Sequence, residues 1–243
     1  KNADAIVFDL GLSSIQLNNL ERGFSFKSKK NLDMSMGLSN MSAEEVINNY
    51  SEHKLKSIIR VLGEEKDASR IAKNIIKERL VKKITKVDQL VAIIEKSKKK
   101  NYTNKINPST KTFQALRIFV NKEITELIQG IINATKILKP GGKILIISFH
   151  SIEDKIVKFF FSNFSTNRSK PSRYFPESSD NNISLFEKYK NKIIKPTNLE
   201  INKNPPSRSA KLRYAVRNKN KFIYPEDLAI KFKKYLELEN TNA

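Results

Sequence analysis

Cysteine and tryptophan are absent from the 243 residues, histidine occurs twice and glycine seven times. Without cysteine there is no disulfide, no thiolate nucleophile and no thiolate-bound metal. His53 and His150 are too few for a multi-histidine centre, so no metal is expected. No apolar stretch approaches the ~20 residues that a membrane helix requires. No secretory signal precedes the first strand, and a cytoplasmic location without membrane contact is expected. The glycine-rich Gly-x-Gly-x-x-Gly pattern is also missing. Acidic residues are scarce relative to basic ones, 25 against 46.

That imbalance gives a net charge of +21. A charge of this size raises the local concentration of polyanions and speeds encounter with them, which points to nucleic acid. Hydrophobic residues make up 39% and aromatics 9%, enough for a buried core and against wholesale disorder.

Ala5-Ile6-Val7-Phe8 is a short apolar run expected to form a strand buried on both faces, as in a parallel sheet. It ends at Asp9-Leu10-Gly11, where open α/β sheets place ligands. Residues 13–40 are polar and read as loop. From Met41 to about Asn104 the pattern is helical, with a capping box at Ser42–Glu45, caps at Asp67 and at Thr85/Asp88, and a stop at Gly63. Four short helices and no strands are expected there, closing with a Lys- and Asn-rich loop over 96–105. Residues 110–138 carry apolar side chains at helical spacing. Lys139-Pro140-Gly141-Gly142 then turns the chain into a second buried strand, Lys143–His150, and Ser151 caps the next helix. Residues 165–182 read as loop. Over 209–217, Ala210, Leu212, Tyr214 and Val216 alternate with Lys211, Arg213 and Arg217, as in a strand with one solvated face. Pro225 opens an amphipathic tail helix that runs through Leu238. The order of strand, excursion, helix, strand, helix is α/β winding.

Several blocks are more specific. Asp9-Leu10-Gly11-Leu12-Ser13-Ser14-Ile15-Gln16-Leu17, Glu21-Arg22-Gly23-Phe24-Ser25-Phe26 and Leu32-Asp33-Met34 are followed by Thr112–Ile118, Leu138–Gly142 and Ser148-Phe149-His150-Ser151-Ile152-Glu153-Asp154. Asn204-Pro205, Arg208-Ser209-Ala210 and Lys211-Leu212-Arg213 complete the series. In this order, over roughly residues 3–217, they closely resemble the cytosine-N4 methyltransferases of small-subunit (16S) rRNA, the RsmH or MraW family. Lys-Pro-Gly-Gly before a strand is generic to class I methyltransferases; the first and the Ser148–Asp154 blocks are much more specific.

The resemblance implies an incomplete class I, Rossmann-like methyltransferase domain at 1–40 and 106–217, an all-helical insertion at 41–105, and a tail helix at 218–243. Members carry a Gly-Gly-His-Ser loop after their first strand. These residues lack it, so the first strands are expected to be absent from this chain and the chain alone to be inactive. Ile15 stands where the family usually has Pro. The implied activity is transfer of a methyl group from S-adenosyl-L-methionine to N4 of a cytosine in the decoding region of 16S rRNA, with the rRNA or the 30S particle as partner.

Within that reading Asp9 and Gln16 bind the cofactor, and Asp9 is also in reach of the target amine. Asp9 could instead simply cap the turn before Gly11. Ser148 and His150 line the active site if their strand neighbours that of Asp9; a lone histidine is otherwise a structural residue. Arg22, Phe24 and Phe26 offer a phosphate-binding charge and rings for base stacking, or else a loop packing its rings on the core. Arg117 could hold RNA phosphate or the cofactor's carboxylate. Arg208, Lys211 and Arg213 form an RNA-backbone stripe, or only a solvated strand face. Two rivals are a DNA amino-methyltransferase, disfavoured by Asp9-Leu10-Gly11-Leu12 in place of a Pro-Pro-Tyr/Phe motif, and a basic ribosome-binding protein without catalysis.

Overall fold

The computed structural model describes residues 2–37, 41–98, 107–167 and 184–240. The chain divides into two compact units: Lys1–Gly11 with Glu126–Lys233, and Leu12–Thr125 with Lys234–Ala243.

The first is built on a three-stranded sheet in the order β1-β2-β3. Its strands are β1 (Ala3–Asp9), β2 (Leu138–Ser148) and β3 (Lys211–Val216). β1 and β2 run parallel, in register from Ala5↔Lys143 to Asp9↔Ile147, and β3 pairs antiparallel with β2. β2 begins at Leu138 rather than after the Pro-Gly-Gly turn. An irregularity between Ala3 and Ala5 absorbs the extra residues. Gly141, at φ 82°, lets the chain double back, and its N–H bonds the Arg217 carbonyl at 2.8 Å.

Strand side chains alternate between faces. Ile144, Ile146, Ser148, Arg213 and Ala215 are buried on one face. That face is packed by α7 (Glu123–Ile137) and α8 (Ser151–Asn163). Gly130 of α7 lies so close to Phe8 that an added Cβ would stand 3.2 Å from the ring. On the other face Val7 is 63% and Tyr214 44% exposed. β1 is therefore not buried on both faces, as its apolar run suggested, because the described helices cover only one. Helices α9 (Asn198–Lys203) and α10 (Glu226–Lys231) complete this unit. Beyond α10, Phe232 meets Phe159 of α8 edge-on.

The second unit holds α1 (Ser14–Asn18), α2 (Ala43–Asn49), α3 (Glu52–Leu62), α4 (Ala68–Val81), α5 (Val87–Ser97) and α6 (Thr110–Asn121). α2 starts at the expected capping box: the Ser42 hydroxyl accepts the Glu45 N–H, and the Glu45 carboxylate accepts the Ser42 N–H. Leu55, Ile58, Ile59 and Leu62 of α3, Ile71, Ala72 and Ile75 of α4, and Leu90, Ile93 and Ile94 of α5 are buried at three- and four-residue spacing. Each of these Leu and Ile side chains contributes about 1.5–3 kcal/mol of burial. Gly63 ends α3 as expected; a Cβ there would meet the Lys111 carbonyl at 2.4 Å.

Four expectations shift. Residues 13–40 include α1 and a 3₁₀ turn at Leu20–Arg22. The helix expected over 110–138 breaks at Lys122, whose φ is 49°. The tail helix is two, α10 and α11 (Lys233–Asn240). α8 is capped at His150 rather than Ser151. The loops expected at 96–105 and 165–182 lie largely outside the described residues. No helix among the described residues is long and apolar enough to cross a membrane.

Candidate active site

Parallel pairing brings the carboxyl ends of β1 and β2 together: Asp9 pairs with Ile147, and Leu10 N–H donates to the Ile147 carbonyl at 3.1 Å. The expected neighbourhood of Asp9 and the Ser148–His150 segment thus holds for the backbone. The side chains diverge. Asp9 lies on the open face, is exposed, and takes no partner among the described residues. Ser148 is 1% exposed on the covered face, where its hydroxyl donates to the Lys211 carbonyl at 3.4 Å.

Past Ser148 the chain turns into α8 under the control of Glu153, a buried carboxylate that the sequence reading left unassigned. Its Oε2 accepts the N–H groups of Phe149 (2.8 Å) and His150 (3.2 Å). These donors have no intrahelical partner at a helix start, and a carboxylate there is also favoured by the helix dipole. Glu153 Oε1 lies 3.1 Å from His150 Nε2, and neither ring nitrogen of His150 makes a hydrogen bond among the described residues. The signal for Glu153 was its place three residues after His150, the capping-box spacing.

Arg213 departs most from expectation. It is 3% exposed, on the covered face of β3. Its Nε donates to Asp154 Oδ1 at 2.7 Å, and Nη1 donates to the Tyr189 hydroxyl at 3.0 Å and to Asn191 Oδ1 at 2.9 Å. Desolvation pushes the Asp154 carboxyl up, but the hydrogen bonds and charges of Arg213 and Lys211 outweigh it and hold the carboxyl below its ordinary value. Lys211 Nζ reaches Asp154 Oδ2 at 3.3 Å, while Arg208 stands exposed on a 3₁₀ turn at Pro205–Ser209.

The remaining expected site residues belong to the helical unit. Gln16 closes a capping box: its Oε1 accepts the Ser13 N–H at 2.9 Å and its own N–H bonds the Ser13 hydroxyl at 3.2 Å. Arg22 Nη2 donates to the Ser35 carbonyl at 2.6 Å, and its guanidinium lies 5.2 Å from the centre of the Phe24 ring. Phe24 is 6% exposed, a core ring. Phe26 is half-buried, edge-on to Phe113. Arg117 forms a bidentate pair with Glu123 at 2.8 and 2.9 Å.

A parallel strand pair with a carboxylate at its carboxyl end, followed by a helix capped at that same end, is how α/β enzymes build a ligand site. Residues 1–218 match the model of the MraW methylase family, and the chain belongs to that family. It is 43% identical over 217 residues to the ribosomal RNA small subunit methyltransferase H of Bartonella bacilliformis, covering 89% of this chain and 65% of that protein. The protein of the same name from Jannaschia sp. is 44% identical over 214 residues, 88% of this chain and 65% of its own length. That from Ehrlichia canis is 43% identical over 219 residues, with 88% and 69% covered. The chain thus spans about two thirds of the length of these relatives.

Proposed function

We propose that the chain supplies part of an S-adenosyl-L-methionine-dependent methyltransferase that modifies N4 of a cytosine in the decoding region of 16S rRNA. The observation that carries this reading is Asp9: an exposed carboxylate at the carboxyl end of β1, beside the strand that leads to Ser148 and His150. The names of the relatives support a small-subunit rRNA substrate, and the charge of +21 supports a polyanionic one.

When bound, the cofactor would supply an electrophilic methyl group for transfer to N4, with its sulfur leaving as the thioether, and the amine would give up one proton. Asp9 fits this group, since its carboxylate is free to accept either a cofactor N–H or O–H or the target amine. Accepting a hydrogen bond from the amine draws its lone pair out of conjugation with the ring and receives the developing positive charge. Ser148 and His150 shape the wall at the end of β2, and Glu153 keeps that wall fixed. The base must be unpaired or flipped to reach such a strand end. Arg208, exposed on its 3₁₀ turn, would meet phosphate.

Asp9→Ala tests the reading. In the full-length protein, methyl incorporation into small-subunit particles should fall at least ~100-fold, within the range for removal of one group that stabilises a transition-state charge. The melting temperature should stay at the parental value, because the side chain is exposed. Parental turnover by Asp9→Ala would remove Asp9 from the site.

A further inference from the structure

The two sequence blocks at the end of the sheet, Ser148–Asp154 and Lys211–Arg213, meet in one buried cluster. Asp154, in the first turn of α8, accepts Arg213 Nε at 2.7 Å and Nη2 at 3.3 Å, and Lys211 Nζ at 3.3 Å. Arg213 Nη1 is spent on Tyr189 and Asn191. Lys211 also accepts the Ser148 hydroxyl on its carbonyl, and the Asp154 N–H donates to the His150 carbonyl at 3.2 Å. The segment from Ser148 to His150 is therefore bonded to the backbone of β3 at Lys211 and to the backbone of α8 at Asp154, and the Asp154 side chain joins that turn to Arg213 and Lys211. A guanidinium that is 3% exposed, with all three nitrogens bonded inside the protein, has no face left for a phosphate.

We propose that Arg213, assisted by Lys211, is a positioning residue: through Asp154 it fixes the turn that carries Ser148 and His150, and Arg213 does not contact RNA. The catalytic consequence rests on the methyltransferase reading; the positioning itself does not. Removing one partner from a buried ion pair leaves the other charge unpaired, so the turn should shift even under a conservative change. Arg213→Lys keeps the charge but loses the planar fork that serves Asp154, Tyr189 and Asn191 together.

The two histidines give a readout independent of methyl transfer. His53 is exposed on α3 in the helical unit and acts as an internal control. In the full chain labelled with 15N-histidine, Arg213→Lys and Asp154→Asn should move the ring signals of His150 and leave those of His53 in place. Binding of a decoding-region RNA oligonucleotide is then measured across a salt series for Arg213→Gln and, should that variant not fold, for Arg213→Met. The log–log slope should equal the parental one. In methyl-transfer assays with the full-length protein, Arg213→Lys should lower kcat about tenfold or more while the RNA KM stays within about twofold, the pattern of lost alignment without lost binding. Unmoved His150 signals in both variants would overturn the proposal. So would a slope reduced by ~0.7, the value for one lost phosphate contact on single-stranded nucleic acid. If His150 moves as expected while the full-length parent transfers no methyl group, the positioning stands and the methyltransferase reading is what fails.

Discussion

At position 24 a phenylalanine ring is buried beneath the guanidinium of Arg22, and the loop that carries it is pinned by Gly23. That glycine has φ 72°, and a Cβ there would stand 2.5 Å from the Asn31 carbonyl. The ring belongs to the core of the helical unit, so Phe24→Ala should cost about 3–5 kcal/mol. Urea unfolding followed by far-ultraviolet circular dichroism checks this; a loss under about 1 kcal/mol would mean the ring is not part of the packed core. The sequence left Phe24 open between a base-stacking ring and a core ring, because a loop has no periodicity to say which way a side chain faces. Arg213 misled for the opposite reason. Alternation places it on one face with Lys211 and Arg217, but period two does not say which face is wet. Here the charged face is the covered one, made tolerable by Asp154, Tyr189 and Asn191.

Among the elements, the break between α6 and α7 shows how distant residues decide local structure. No glycine or proline marks Lys122, and the apolar spacing runs through it unbroken. The first N–H groups of α7 are instead satisfied from the far end of the chain: Glu239 accepts Ile124 N–H at 3.0 Å, Thr125 N–H at 2.8 Å and the Thr125 hydroxyl at 2.6 Å. No sequence window contains that cap. Burial pushes the Glu239 carboxyl up to about 7, against the three hydrogen bonds that lower it, with Glu123 adding repulsion. The folded state therefore binds this proton more tightly than the unfolded chain, whose value is near 4.5. Its contribution to stability is full below about pH 4.5 and is lost as pH rises to about 7. The difference is at most about 3 kcal/mol at 1.36 kcal/mol per unit. Glu239→Gln should flatten the stability of the helical unit between those pH values. An unchanged slope in hydrogen exchange of α7 amides would contradict this. The capping box at Ser42, the stop at Gly63 and the two parallel strands were legible because their signals are local.

On the scale of the whole molecule, α/β winding was readable from element order, whereas the limits of the compact units were not. Composition suggested boundaries near 40, 105 and 217. Residues 12–37 pack with the helices because Leu32 N–H bonds the Thr85 carbonyl, Val87 N–H bonds the Lys30 carbonyl, and Asn121 bonds Met34. Such long-range backbone pairs leave no trace in composition. The charge of +21 should make RNA binding steeply salt-dependent, and exposed Arg208 should account for one unit of it. Arg208→Ala is expected to reduce the log–log slope by ~0.7 for a single-stranded target, and a parental slope would remove it from the RNA surface. The methyltransferase reading is tested most directly by the nucleosides of the product. Small-subunit particles lacking the modification are incubated with S-adenosyl-L-methionine and the full-length protein, the rRNA is digested, and its nucleosides are resolved by mass spectrometry. The expected result is a single N4-methylated cytosine from the decoding region, absent with Asp9→Ala; a methyl group on ring carbon, on another base, or formed equally well without Asp9 would contradict it.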